Sequence, residues 1–164
     1  NMLCRNALVR HVITAGPDDT IADALTLLEQ HGIRAIPIVG AGDTLLGWFS
    51  FDVVLANLLP GPITVEHHGL EDVNLRLDYL LDGEDSVANR LKTLSTLKLR
   101  EVMSTSVPAV HPDTPLWEGI RKLFQHGSPV PVVEESNGRL IGLLSVQSVI
   151  CELAGAASDC AGRR

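Results

Sequence analysis

Aromatic residues are scarce, making up 4% of the 164 residues. Few rings are therefore available for stacking nucleic-acid bases. Positive charge is also short, with 13 Lys and Arg against 20 Asp and Glu and a net charge of -7. That balance disfavours a nucleic-acid binder, which needs a basic face. The three cysteines, Cys4, Cys151 and Cys160, share no metal-ligand spacing and are expected as reduced core or tail thiols. No charged segment followed by an apolar one opens the chain, so a cytoplasmic location is expected. Met2 is expected to be the initiator, with Asn1 an added residue and the native chain starting there. The most apolar stretch, Leu140–Ala157, contains Gly142, Gln147 and Glu152, which predicts a strand and a core helix and no membrane insertion. A phosphate-cradling glycine loop, a nucleophile–base pairing and a convincing metal set are all missing, so no enzyme is expected.

What the chain does have is apolar content and an internal repeat. The 45% hydrophobic fraction is ample to offset ordering entropy. Gln30-His31-Gly32 recurs 95 positions later as Gln125-His126-Gly127. At the same offset Arg5 matches Arg100, Pro17-Asp18 matches Pro112-Asp113, Leu45 matches Leu140, Gly47 matches Gly142, and Ser50 matches Ser145. With one residue deleted, Pro37 matches Pro131 and Val39 matches Val133. This divides the chain into repeats at 3–59 and 98–154, an insertion at 60–97 and a flexible tail at 155–164.

Each repeat has one local grammar. Val12–Ala15 reads as a short strand ended by Gly16-Pro17. Asp18, Asp19 or Thr20 can cap the helix in which Ile21, Ala24, Leu25 and Leu28 build an apolar face. Gly32 stops that helix. Ala35–Val39 reads as a buried strand, Gly40–Asp43 as a turn, Leu45–Phe49 as a strand and Asp52–Leu59 as a short helix. In the second repeat, Leu116, Gly119, Ile120 and Leu123 mark the helix, Val130–Val133 the buried strand and Ser136-Asn137-Gly138 the hairpin turn. The predicted fold class is α+β: two β-α-β-β-α repeats packed as a pseudo-twofold pair, since one repeat alone buries too little core.

These features resemble the cystathionine-β-synthase (CBS) domain, present in tandem as a Bateman module. The resemblance is carried by the Pro-Asp before each first helix and the small residue within it, Ala24 or Gly119. It extends to the hydrophobic-Pro-hydrophobic strand and to Gly47-Trp48-Phe49-Ser50 and Gly142-Leu143-Leu144-Ser145. It implies a regulatory module that binds AMP, ADP, ATP, S-adenosylmethionine or cyclic dinucleotides in two clefts between the repeats. It also implies a homodimer and control of a partner protein.

Carried over residue by residue, the first cleft would use Ile36, Pro37, Ser50 and Asp52, with Ser106 and Val107 from the other repeat. Asp52 stands one step earlier than the family's ribose-holding aspartate, a rotation of about 100° on a helix. It could therefore grip ribose or cap its helix. The second cleft would use Val130, Pro131, Ser145 and Ser148, with Ile13, Thr14 and Ala15 from the first repeat. Ser148 replaces the expected carboxylate and bonds a ribose more weakly. Arg34, Arg10, His11 and His31 are candidate phosphate cations near the first cleft, and His126 near the second. Lys98 and Arg100 read as surface charges on a lead-in helix, and His31 and His126 as helix-terminal histidines.

The insertion reads as partly helical, a lid, dimer contact or docking element. Its Glu66-His67-His68 with Glu71-Asp72 reads first as a solvated polar turn and only second as a metal site. The alternative function is a ligand-independent dimerisation and docking module with degenerate clefts.

Overall fold

In the computed structural model, residues 1–58 and 84–155 are described. Residues 60–83 of the insertion, with the Glu66-His67-His68 and Glu71-Asp72 groups, and Cys160 lie outside the described residues.

Helix α1 spans Ile21–His31. Of the three candidate caps, Thr20 is the one used. Its hydroxyl accepts the Asp23 N–H at 3.1 Å, and the Asp23 carboxylate accepts the Thr20 N–H at 3.2 Å. Gly32 closes the helix in the left-handed region, with φ of 60°. Strands β1 (Ala35–Val39) and β2 (Leu45–Ser50) pair with each other, and α2 follows at Phe51–Leu58. Helix α3, Glu84–Ser95, lies in the insertion, which the sequence reads as partly helical. Helix α4 is Leu116–His126. Strands β3 (Val130–Val133) and β4 (Leu140–Leu144) pair antiparallel, and α5 runs Val146–Leu153. The apolar stretch after Leu140 is thus a strand and a helix, as expected. The strand expected at Val12–Ala15 shrinks to one residue: Ala15 alone bridges Ile38, and the proline at 17 cannot extend a ladder.

The described residues form two compact units. One comprises Thr14–Gly40 and the described part of Leu46–Ser106. The other comprises Asn1–Ile13, Ala41–Leu45 and the described part of Val107–Arg164. The lead-in of each repeat therefore belongs to the unit built on the other repeat. Residues Cys4, Ala7 and Leu8 pack into a core with Leu116, Leu123 and Leu144. Leu99 and Val102 pack with Ile21, Leu28 and Phe49.

The backbone bridges obey the 95-residue offset under this exchange. Val9 bridges Leu143 in one unit, and Ser104 bridges Trp48 in the other. Leu3 with Pro115 corresponds to Lys98 with Thr20, and Ala15 with Ile38 to Val110 with Val132.

The exchange explains three small residues. A Cβ on Gly142 would lie 2.5 Å from the Val9 carbonyl oxygen, and one on Gly47 2.9 Å from that of Ser104. Both glycines stand where a lead-in crosses β4 or β2. A Cβ on Gly119 would meet the Cys4 Sγ at 2.7 Å.

Candidate nucleotide site

In the unit built on the first repeat, β1 buries Ile36 and Pro37, and Arg34 stands exposed just ahead of it. Ala15 is fixed beside this strand: its N–H donates to the Pro37 carbonyl at 3.2 Å, and its own carbonyl accepts the Val39 N–H at 2.9 Å. Thr14 is exposed next to it. Ser50 ends β2, and Asp52 lies exposed in the first turn of α2. Ser106 closes the unit, exposed at the end of the lead-in.

Among the described residues, neither the Ser50 hydroxyl nor the Asp52 carboxylate makes a hydrogen bond, so the capping role open to Asp52 is not taken up here. A carboxylate in the first turn of a helix is favoured by the helix dipole. The junction thus presents an uncommitted hydroxyl and an acceptor-only carboxylate two residues apart. Such a pair can receive two neighbouring hydroxyls of a ligand.

The matching junction in the other unit is chemically closed. Ser145 caps α5, its Oγ accepting the Ser148 N–H at 2.9 Å. Ser148 Oγ accepts the Ser145 N–H at 3.0 Å and donates to the Ser145 carbonyl at 3.0 Å. Its single hydroxyl proton is thereby used. The Val146 N–H donates to Ser128 Oγ at 3.1 Å, which takes a further helix donor. Val130 and Pro131 are buried on β3, and Val107 is half-buried. The two acidic side chains of the β3–β4 hairpin are partly offset by a cation that sequence reasoning passed over: Arg139 pairs with Glu134 at 3.3 Å.

The expected site residues thus separate by unit. Thr14, Ala15, Arg34, Ile36, Pro37, Ser50, Asp52 and Ser106 share one; Val107, Val130, Pro131, Ser145 and Ser148 share the other, which regroups three of them, since Val107 was expected with the first cleft and Thr14 and Ala15 with the second.

Lys98 and Arg100 are exposed, and both pair with the exposed Asp18. Arg100 reaches Asp18 at 2.8 Å and Lys98 reaches it at 3.6 Å. The hydrogen bond from Arg100 is the largest of the influences that hold the Asp18 carboxyl below its ordinary range. The same latch recurs between Arg5 and Asp113. The repeated Pro-Asp thereby receives the arginine of an exchanged lead-in. Both members of each pair recur at the 95-residue offset, but the sequence does not say which arginine meets which aspartate.

Cys4 is a free thiol pushed up to about 11 by burial. Cys151 is disulfide-bonded, which corrects the expectation of a reduced thiol at that position. Among the described residues no three His, Cys, Asp or Glu side chains group so as to hold a metal ion, and no helix is long and apolar enough to cross a membrane.

Two βαββα-like units built on one repeated sequence, each completed by the other's lead-in, define a tandem-repeat α+β fold. The CBS domain family matches residues 4–59 and 99–155, and the chain belongs to that family. It is 26% identical over 159 residues to the CBS domain-containing protein YhcV of Bacillus subtilis, covering 93% of this chain and 90% of that one. It is 23% identical over 144 residues to the inosine-5'-monophosphate dehydrogenase of Methanocaldococcus jannaschii, covering 87% of this chain but only 22% of the dehydrogenase. Among solved structures, the CBS-pair protein CBSX2 of Arabidopsis thaliana superposes with a TM-score of 0.70 at 19% identity, covering 94% of this chain and 96% of that one. CBSX2 in complex with AMP gives 0.67 at 20% identity, covering 94% and 98%. The CBS domain pair of MJ0100, in complex with 5'-methylthioadenosine and S-adenosyl-L-methionine, gives 0.60 at 21% identity, covering 94% and 97%.

Proposed function

We propose that this chain is a non-catalytic sensor of adenosine-containing nucleotides. It works in the cytoplasm as a homodimer and controls a partner protein. The observation that carries the reading is the open junction of the first repeat, where Ser50 and Asp52 make no hydrogen bond to the rest of the described protein. Membership of the CBS family supports it, as does the AMP or S-adenosylmethionine bound by similar CBS pairs.

In this reading Asp52 and Ser50 receive the ribose hydroxyls, Ile36 and Pro37 offer an apolar edge and backbone groups to adenine, and Arg34 meets phosphate. Thr14, Ala15 and Ser106 border the same site. The second site, drawn on Val107, Val130, Pro131, Ser145 and Ser148, is the weaker one, since Ser148 has no proton left to donate. With few cations and a net charge of -7, the protein favours a ligand of low phosphate charge, AMP or S-adenosylmethionine over ATP.

A thermal-shift screen with AMP, ADP, ATP, S-adenosylmethionine and cyclic dinucleotides tests this. A ligand at 100 times its dissociation constant stabilises the protein by about 2.7 kcal/mol. No shift with any of them contradicts the reading. It would leave the second one, a ligand-independent docking module, which the closed Ser145–Ser148 junction favours.

A further inference from the structure

The Ser50–Asp52 junction is backed by a helix that the repeat itself does not supply. Helix α3 comes from the insertion and packs against both α1 and α2. Its Leu94 is 1% exposed and lies in one apolar cluster with Phe49, Val53 and Val54. Phe49 directly precedes Ser50, and Val53 directly follows Asp52. The residues on either side of the junction therefore share a core with the insertion helix.

The chain leaving α3 is tied by its backbone to the same unit. The Leu97 carbonyl accepts the Ile21 N–H at 2.9 Å, at the start of α1. The Leu99 N–H donates to the Asp19 carbonyl at 2.8 Å, and the Arg100 N–H to the Pro17 carbonyl at 2.9 Å. Ser104 and Trp48 exchange two bonds of 2.9 Å, two residues ahead of Ser50 on β2. A displacement of α3 is passed on to β2 and to the first turn of α2, because close-packed interiors transmit strain.

Helices α2 and α3 also carry the only buried polar side chains among the described residues, Asn57 and Arg90. Asn57 Nδ2 donates to the Val53 carbonyl at 2.7 Å. Its Oδ1 is buried with no hydrogen-bond partner among the described residues. A buried acceptor left open favours any rearrangement that brings it a donor. Helix α2 thus has a physical reason to occupy a second arrangement, and a ligand acts by favouring one arrangement over another.

We propose that α3 governs the Ser50–Asp52 site, with Leu94 as the positioning residue that holds the junction in its binding arrangement. The inference rests on the nucleotide-sensor reading and adds how that site is regulated. A nucleotide that bonds Ser50 and Asp52 tightens α2 against α3. Conversely, anything that loosens α3 lowers nucleotide affinity, since linkage is reciprocal. The matching helix of the second repeat, α5, packs instead on α4 and on the Cys4–Ala7 turn.

The test uses the whole chain and AMP. Hydrogen–deuterium exchange of the wild type is compared with and without saturating AMP. Isothermal titration then gives the AMP affinity of the wild type, Leu94→Ala, Leu94→Met and Leu123→Ala. AMP should slow exchange of the α3 amides about fivefold or more and leave those of α4, in the other unit, unchanged. Leu94→Ala should weaken AMP binding about fivefold or more, and Leu94→Met, which conserves volume, should bind like the wild type. Leu123→Ala opens a cavity in the other core and should leave affinity unchanged, which separates positioning from a general loss of stability. The exchange comparison needs no variant, so it decides the matter even if Leu94→Ala fails to fold. A wild type that does not bind AMP overturns the nucleotide reading and this inference together. AMP binding that leaves α3 exchange unchanged overturns this inference alone. So does binding that Leu94→Ala does not weaken, or that Leu123→Ala weakens equally.

Discussion

Replacing Gly142 by alanine tests whether the exchanged lead-in is what this glycine serves. In an ordinary strand the change would stabilise, by about 0.4–1 kcal/mol, because the unfolded chain loses freedom. Here the new methyl would sit 2.5 Å from the Val9 carbonyl oxygen and 2.6 Å from Leu8 Cδ1. Val9 exchanges two backbone hydrogen bonds with Leu143, at 2.8 and 2.9 Å, so the lead-in cannot retreat without stretching both. Overpacking costs about 1–3 kcal/mol and each weakened bond about 0.5–1.5 kcal/mol. The net expectation is a loss of about 2–3 kcal/mol, or roughly 4–12 °C in Tm. Gly47→Ala should lose less. Its nearest contact is the flexible Met103 side chain at 2.6 Å, and the backbone oxygen of Ser104 stands off at 2.9 Å. Gly16→Ala is the control, since its Cβ would meet nothing closer than 3.7 Å. Thermal and urea unfolding followed by circular dichroism measures all three. A Gly142→Ala protein as stable as the wild type would refute the reasoning.

Other consequences can be checked with the same protein. Ser145→Ala removes the cap of α5 and should cost about 1 kcal/mol in urea unfolding, whereas Ser50→Ala, at a junction with no hydroxyl bond to lose, should be near neutral. Asp18 has its pKa lowered in the folded state, so its contribution is present above the unfolded carboxyl pKa and is lost as pH falls through the folded value. The Tm of the wild type should therefore fall more steeply in acid than that of Asp18→Asn, and the difference should shrink in high salt. Cys4, pushed up to about 11 by burial, stays protonated at neutral pH. It should react with a thiol reagent only as fast as its unit unfolds.

Most of the element order was legible in the sequence because its signals are local. Thr20 with Asp23 is a capping box, Gly32 a stop, and Ala35–Val39 a run of apolar residues with no solvent face. Two things were not legible. The lead-in of each repeat is short and apolar, and nothing within residues 3–9 says which repeat its Cys4 and Leu8 will pack against. Only the third dimension reveals the exchange, although Gly47 and Gly142 record it as the absence of a side chain. The state of the two junctions was equally hidden. Ser50 and Ser145 are equivalent in sequence, yet Ser148 turns one junction into a closed reciprocal cap, and Asp52 leaves the other with its oxygens free. Residue identity suggested a weaker second site, but the donor count that closes it came from geometry.

The central claim is that the Ser50–Asp52 junction receives the ribose of an adenine nucleotide. Isothermal titration of AMP into the wild type and into Asp52→Ala addresses it directly. Saturable binding in the micromolar range, weakened about tenfold or more by Asp52→Ala through loss of charge-assisted hydrogen bonds, is the predicted result. Binding that Asp52→Ala leaves unchanged, or no binding of AMP at all, would contradict the account.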